Sequence, residues 1–402
     1  MKQFIVALSL VVLVTLAASA QDDPLPDSVS QAYLAYENAM AAQDYVAASE
    51  AARAAWQAAR DERIDAELIG ILAENYGNLA LRRGLPEEAY PAWRSAAEIS
   101  DRLRASQTER ATRWYQASLS AFANGDIRDA RQCSLRASRS VGGREDSVAP
   151  SLAGDIHYMV ALSSGQLGRL RTMSGHAALA LEAFEASGRS PDRVLANAHY
   201  LAGVGQYFEG ERLDALYNFH ISRSMFASVE AAGADTDNVR TTTAWIQLAR
   251  GAATAEDRAL VDARIAASAY PETGAHPSWS DSEGANIYDV DAVVAGTRAQ
   301  PRYPVRAAEA GIDGIVVVRF DVTESGRTDS ATVVAAAPGG VFDDETLQAV
   351  ASWRYEPAQI GGQAVRRVGL LTRFQFTMCE LPTAWQCRMQ SEAEAEADAD
   401  AE

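Results

Sequence analysis

Two stretches near the C-terminus decide the fold: Gly-Ile-Val-Val-Val-Arg-Phe-Asp-Val at 314–322 and Arg-Arg-Val-Gly-Leu-Leu-Thr-Arg-Phe-Gln-Phe-Thr at 366–377. Apolar side chains alternate along both with a period of two, which is typical of a half-buried strand. A glycine turn at 324–327, a second strand at 328–335 and a helix starting near 343 lie between them. We therefore predict a small three-stranded sheet with helices on one side.

Two further motifs flank these strands. Gln300-Pro301-Arg302-Tyr303-Pro304 precedes the first strand, and Trp353-Arg354-Tyr355-Glu356-Pro357 follows the helix. Together with the strand at 314–322, they resemble the C-terminal domain of the TonB family, over about a fifth of the chain. Proteins of that family carry energy across the periplasm to outer-membrane receptors that import scarce nutrients, such as iron–siderophore complexes. The resemblance implies a non-enzymatic α+β domain at 300–378.

The resemblance also implies a peptide-binding surface made of two parts. In the family, the segment before the domain lies against the receptor, and the free edge of the third strand pairs with a short receptor peptide, the TonB box. Such strand addition draws its affinity from the main chain of the edge strand. The predicted partner-binding residues are Gln300, Pro301, Tyr303 and Pro304 in the segment, and Arg366, Val368, Leu370, Thr372 and Phe374 along the strand, whose alternate side chains from 368 to 376 are expected on one face.

Three arginines near this strand leave two interpretations open. Arg366, Arg367 and Arg373 would attract an acidic partner peptide. They would equally serve as solvated charges that keep an exposed edge strand from aggregating.

Upstream, residues 28–255 are rich in alanine and show helical periodicity with an internal repeat. Small residues early in the second helix of each unit recur at Ala48, Ala89, Ala130 and Ala215, with a degenerate unit near Met173, at steps of 41, 41, 43 and 42 residues. This pattern resembles tetratricopeptide repeats with a lengthened period. We predict stacked helical hairpins forming a solenoid that holds an unidentified protein ligand; a generic helical domain without a ligand is the alternative.

Two repeat units show the pattern most clearly. Gly77, Gly84, Ala89, Trp93 and Ala96 follow the family's order of small, small, small, aromatic and small. Small residues at a helix crossing let two axes approach, and the aromatic ring fills the space beyond. The second unit carries the same order in Gly203, Gly210, Ala215, Phe219 and Ser222.

Composition and motifs exclude several function classes. The formal net charge of −18 argues against a nucleic-acid partner, because phosphate binding needs clustered positive charge. No glycine-rich phosphate loop, nucleophile elbow or HExxH motif occurs, so we predict neither an enzyme nor a cofactor. Four histidines of the helical region, at 157, 176, 199 and 220, have irregular spacing, and we interpret them as packing or surface residues rather than metal ligands.

The N-terminus reads as a secretory signal. Lys2 precedes an apolar stretch from Phe4 to Leu16, and Ala18-Ser19-Ala20 forms a small-residue cleavage site. Cleavage would leave a soluble periplasmic protein, whereas a retained segment would anchor it in the inner membrane. Members of the TonB family that engage inner-membrane proton-motive motor proteins have a histidine in their anchor. This segment has none, so motor contact stays open.

The predicted organisation is a multidomain chain: a signal at 1–20, an all-α tetratricopeptide-like solenoid at 28–255, a linker at 256–299, the TonB-like α+β domain at 300–378, and a tail at 379–402. Cys379 and Cys387 either close a small disulfide loop or stay unpaired. Cys133 is expected to be an inert buried thiol. The acidic end of the tail is expected to be disordered.

Two functions fit these features. The first is a TonB-like periplasmic transport protein that docks on outer-membrane TonB-dependent receptors by strand addition. The second is a soluble periplasmic scaffold or envelope adaptor that binds proteins through its repeats and transduces no energy.

Overall fold

The computed structural model describes residues 25–141, 148–229, 236–251, 253–268, 299–355, 357–360 and 363–377. The predicted signal, the Cys379–Cys387 loop, most of the linker and the acidic tail lie outside these residues. The chain divides into two compact units, 1–190 and 191–402. None of the described helices is both long and apolar enough to cross a lipid bilayer.

The first unit is built from helical hairpins. Its described elements are α1 (Asp27–Ala41), α2 (Tyr45–Asp61), α3 (Ala66–Arg82), α4 (Pro86–Leu103), α5 (Gln107–Ala123), α6 (Ile127–Ser138), α7 (Pro150–Gln166) and α8 (Leu170–Ala186). Consecutive helices pair, and each hairpin packs on the next, with α2 on α3, α4 on α5 and α6 on α7. This is the tetratricopeptide-like arrangement that the repeat predicted.

Small residues bring the paired helices together, as the repeat pattern predicted. Gly77 of α3 lies under the ring of Trp93 of α4, where a Cβ atom would come within 2.8 Å of the ring. In the degenerate unit the same contact joins Gly154 of α7 to Phe184 of α8. The sequence pattern missed this pair because its spacing differs from the other units. Cys133 is buried in α6, and burial raises its pKa to about 11, which keeps the thiol protonated.

The second unit joins four helices to the sheet. The helices are α9 (Arg193–Glu209), α10 (Arg212–Val229), α11 (Asp237–Gly251) and α12 (Ala255–Ala266). Gly203 of α9 lies under Phe219 of α10, the counterpart of the Gly77 contact. α12 begins with a capping box at Thr254, so the segment predicted as linker from residue 256 starts with a helix.

The C-terminal domain contains three long strands and a short hairpin. Its elements are α13 (Val305–Glu309), β1 (Gly314–Val322), β2 (Thr328–Ala337), α14 (Asp343–Ala351), β3 (Ala358–Ile360), β4 (Gln363–Val365) and β5 (Arg367–Phe376). The main sheet has the order β2–β1–β5 with antiparallel neighbours, and β3 pairs with β4. The sheet was predicted, but the β3–β4 hairpin was not.

One face of the sheet carries the aromatic core of the domain. Its largest buried members are Phe342, which precedes α14, Trp353, Phe320 of β1 and Phe376 of β5. Phe342 and Phe376 stack with ring centroids 4.3 Å apart. Ala307 of α13 and Val350 of α14 close this face, so both helices lie on the side where they were expected.

The other face of the sheet is covered as well, by a helix that the sequence analysis did not place there. α11 packs against β2 and β1, and Ile315 and Val317, which alternate with the core-facing residues of β1, are fully buried. The sequence signal for this cover is the apolar run at 315–318, because a strand buried on both faces loses its polar alternation.

Candidate peptide-binding site

The segment predicted to contact a partner is held firmly against the domain. The indole Nε1 of Trp353 donates a hydrogen bond to the carbonyl oxygen of Ala299 at 2.9 Å. The Tyr303 hydroxyl donates to the carbonyl oxygen of Ile312 at 2.6 Å. Pro304 precedes the first turn of α13 and accepts from the Ala308 amide through its carbonyl oxygen. These bonds make 299–304 an ordered part of the fold.

Tyr303 joins this segment to the aromatic core. Its ring meets Phe342 and Phe376 edge-on, with centroid distances of 5.5 Å and 5.8 Å. Burial, reinforced by the nearby Asp313 carboxylate, raises the pKa of Tyr303 to about 12. The hydroxyl therefore stays protonated and donates at neutral pH. The ring contacts hold the segment at 299–304 against Phe376 of β5.

β5 is an edge strand in the part of the chain that the structure describes, where it pairs with β1 alone. Thr372 and Phe374 are 1% and 7% exposed, so their side chains belong to the core rather than to a binding surface. What β5 presents along its open edge is main chain, which is the chemistry of strand addition.

A groove of about 400 Å³ joins the two predicted parts of the surface. Its lining consists of Gln300, Pro301, Tyr303, Arg373, Phe374, Gln375, Phe376 and Thr377. The structure thus brings Gln300, Pro301 and Tyr303 to the same place as the C-terminal half of β5. The sequence prediction did not include Gln375, Phe376 and Thr377 as site residues. The position of Phe376 and Thr377 at the end of the predicted strand could have indicated that they belong to the site.

The remaining predicted residues lie outside this groove. Leu370 is half-buried against the core, and Val368 is 71% exposed. Val368 does not share the core face of β5, because the pairing with β1 shifts between Phe320 and Val322 and Gly369 has a positive φ of 74°. The expected single face therefore extends only from Leu370 to Phe376.

Arg366 has a structural role at the far end of the sheet. Its guanidinium Nη2 lies 2.8 Å from a carboxylate oxygen of both Asp321 and Asp329. Hydrogen bonds from Arg366 lower the pKa of both carboxyl groups, helped at Asp321 by the Gly369 amide. Arg366 thus neutralises two carboxylates at the end of the sheet. This ion pair favours a structural role for Arg366 over a contact with an acidic peptide.

The four histidines of the helical region are not part of the groove. His157 and His176 place their Nδ1 atoms 3.0 Å apart, and His199 donates to the Asn218 side chain at 2.7 Å. Among the described residues, no three His, Cys, Asp or Glu side chains cluster as metal ligands would.

Comparison with known proteins places this geometry in context. Residues 299–378 match the family model of the Gram-negative bacterial TonB protein C-terminal domain. Protein TonB of Escherichia coli K12 is 40% identical over 90 residues, which are 21% of this chain and 38% of that protein. The chain therefore spans less than half the length of this relative.

Two solved structures give partial matches. TonB2 of Vibrio anguillarum is 31% identical, with 21% of this chain and 78% of that chain covered and a TM-score of 0.18. A putative kinesin light chain of TPR-like repeats from Podosopora anserina is 13% identical, with 51% and 98% covered and a TM-score of 0.38. The chain thus carries a TonB C-terminal domain, matched at 299–378, after tetratricopeptide-like helical hairpins.

Proposed function

We propose that this protein is a TonB-like periplasmic transport component that docks on outer-membrane TonB-dependent receptors by strand addition to β5. The observation that supports the proposal is the groove in which Gln300, Pro301 and Tyr303 meet the open edge of β5. An extended peptide that pairs with this edge would form hydrogen bonds with the main chain of β5 and would contact the side chains of Tyr303 and Pro301. The matching relatives, which are TonB proteins, support the same role.

The chemistry of the site predicts weak and reversible docking. About four to six main-chain hydrogen bonds at ~1 kcal/mol each, reduced by the entropy lost on association, correspond to micromolar affinity. Such affinity suits a component that must release its receptor after each transport event. Coupling to inner-membrane motor proteins belongs to this proposal and requires a retained N-terminal anchor, which intact mass measurement of the native protein would reveal as an uncleaved Met1.

Titration calorimetry with a synthetic TonB-box peptide tests the docking step. We expect a micromolar Kd for the full chain, and Gln300→Ala should weaken binding because Gln300 is exposed and lines the groove. Arg302→Ala is the matched control, since Arg302 is exposed in the same segment but does not line the groove. Absence of binding at millimolar peptide would overturn the proposal.

A second variant tests the strand itself. Leu370 pairs with Phe320 of β1, and Leu370→Pro removes a main-chain donor from β5 and distorts the strand at a cost of about 3 kcal/mol. We expect peptide binding to be lost. A folded Leu370→Pro protein with unchanged affinity would refute strand addition at β5.

The alternative, a soluble periplasmic adaptor, is favoured by one observation. α11 packs directly on the sheet, so the docking domain and the last helices form one compact unit rather than being separated by a free spacer. Affinity capture from envelope extracts separates the two functions, because only the transport role requires outer-membrane receptors in the eluate.

A further inference from the structure

α11 crosses the sheet from its second strand to its edge strand. Near the start of the helix, the Arg240 Nε atom donates to the carbonyl oxygen of Val334 in β2 at 3.2 Å. Near its end, Gln247 accepts from the Arg373 guanidinium of β5 at 3.4 Å. At the last residue, a Cβ atom on Gly251 would lie 3.4 Å from the side-chain amide of Gln375. The C-terminal turn of α11 therefore reaches the open edge of the sheet.

The three contacts form a continuous stripe on the helix. Arg240, Gln247 and Gly251 are related by steps of seven and four residues, which place them on one face. Their partners on β5, Arg373 and Gln375, also line the groove beside Gln300 and Tyr303. The last turn of α11 and the segment at 299–304 thus flank the same stretch of β5 from its two faces.

A strand added to β5 would enter the space between these two flanks. Neighbouring strands lie about 4.8 Å apart and alternate their side chains between the faces of a sheet. Every second side chain of the added strand would point to the side that carries α11, next to Gln247 and Gly251. The others would point to the side of Tyr303 and Pro301.

We propose that the last turn of α11, through Gln247 and Gly251, forms the second wall of the peptide site and selects the side chains that face it. The proposal rests on the proposed docking of an extended peptide on β5. The partner is an extended peptide with small or polar side chains toward α11, where Gly251 offers no side chain and Gln247 offers an amide. Toward Tyr303 and Pro301 its side chains are apolar. The helical region, through α11, then contributes to the recognition of the peptide.

A large side chain at position 251 tests the wall. Gly251 is exposed at the end of α11, so a Gly251→Tyr ring fits without disturbing the core and fills the space in front of Gln375. Gly175→Tyr is the matched control, because Gly175 is an exposed glycine within α8 with no atom within 4 Å of its Cβ position. Both changes place the same residue at an exposed helical position, Gly175 inside α8 and Gly251 at the last position of α11, where helix propensity has less effect.

The readout is the Kd of the full chain for a synthetic TonB-box peptide, by titration calorimetry. We expect Gly251→Tyr to weaken binding by about fivefold or more, as overpacking of a contact does, and Gly175→Tyr to leave the Kd unchanged. Equal affinities of the two variants would refute the proposed role of the last turn of α11 and would leave the docking proposal intact. Failure of the unaltered protein to bind the peptide would overturn both.

A smaller change guards against a loss of folding. Gln247→Ala removes the amide that contacts Arg373 of β5, and we expect about a twofold to threefold change in Kd that is larger for peptides with a polar residue on the α11 side. Asn238→Ala, exposed in the first turn of the same helix, should leave every peptide unaffected. Peptide preferences that are the same in both variants would contradict the proposal.

Discussion

The helical hairpins and the C-terminal sheet are packed by two different means. In the hairpins the crossings are made by alanines, and Ala48, Ala89, Ala130 and Ala215 are all fully buried. In the sheet domain the core is a cluster of rings centred on Phe342, Trp353 and Phe376. Buried rings such as Trp93 and Phe219 are distributed along the hairpins, whereas the sheet domain gathers its rings in one cluster, so stability is spread along one region and concentrated at one place in the other.

Both regions nevertheless use a glycine beneath an aromatic ring. Gly77 lies under Trp93 in the hairpins, and Gly314 lies under Phe342 in the sheet, where a Cβ atom would come within 2.2 Å of the ring. In the hairpins the same contact recurs between Gly154 and Phe184 and between Gly203 and Phe219. In the sheet it occurs beside the docking segment, so damage there should reach the groove.

The largest expected effect is the loss of Phe342. Phe342 is fully buried, stacks on Phe376 and meets Tyr303 edge-on. Phe342→Ala should destabilise the sheet domain by about 3–5 kcal/mol, because it removes buried ring surface and leaves a cavity. Hydrogen exchange of peptides from β1 and β5 measures this loss region by region.

The control for Phe342→Ala is Val368→Ala, since Val368 is 71% exposed on β5. It should change stability by less than about 0.5 kcal/mol. If exchange in the hairpins rose as much as in β1 and β5, the contrast between concentrated and spread packing would be broken.

A smaller effect is expected from adding one methyl group in a hairpin. Gly77→Ala forces the Trp93 ring to move and should cost about 1–3 kcal/mol, as overpacking does. Gly175→Ala, at a helical glycine with open space around it, should instead stabilise by about 0.5–1 kcal/mol. Thermal unfolding followed by circular dichroism measures both effects on stability. If both variants changed stability in the same direction, the glycine–aromatic contact would not be required.

The two regions should also differ in their response to acid. Burial, with a smaller contribution from His176, lowers the pKa of His157 to about 4, and burial lowers that of His176. Both rings favour the neutral form when folded, whereas an unfolded histidine has a pKa of about 6.5. Stability from this pair is complete above about pH 6.5 and is lost as the pH falls toward about 4.

The carboxylates of the sheet end titrate at lower pH. Arg366 lowers the pKa of Asp321 and Asp329, so their contribution persists above the ordinary aspartate pKa of about 3.9 and is lost only below it. Denaturant midpoints measured between neutral pH and pH 4 should fall less for His157→Gln than for the unaltered protein. Parallel curves would exclude the histidine pair as the acid-sensitive element.

The smallest expected effect concerns Thr372, a buried residue of β5 whose hydroxyl has no hydrogen-bond partner within the described structure. Thr372→Val removes a polar group buried without a partner, so stability should stay constant or rise by up to about 1 kcal/mol, and peptide affinity should not change. Thr346→Val is the contrasting change, because the Thr346 hydroxyl donates to the Phe342 carbonyl oxygen at 2.8 Å. It should lose about 1 kcal/mol, and denaturant titration of both variants measures the difference.

Much of the fold could be predicted because its signals are local. The period-two pattern at 314–322 and the glycine at 326 predicted the β1–β2 hairpin, in which Gly326 has a positive φ of 76° and closes the turn through its amide. The repeated spacing of Gly77 and Trp93 predicted a real contact between paired helices. Val368 was predicted on the same face as Leu370, and this was wrong because a shift in the pairing between β5 and β1 leaves no signal in the β5 sequence.

The sequence by itself determined the helical hairpins and the three long strands, since periodicity, turn glycines and the Gln300–Pro304 motif act over short distances along the chain. Only the tertiary structure decided that Tyr303 lies against Phe376, that Arg366 joins Asp321 and Asp329, and that α11 covers the second face of the sheet. These contacts join residues far apart in the chain. Their partners are chosen by the shape and burial of the assembled surfaces, for which no single segment carries a signal.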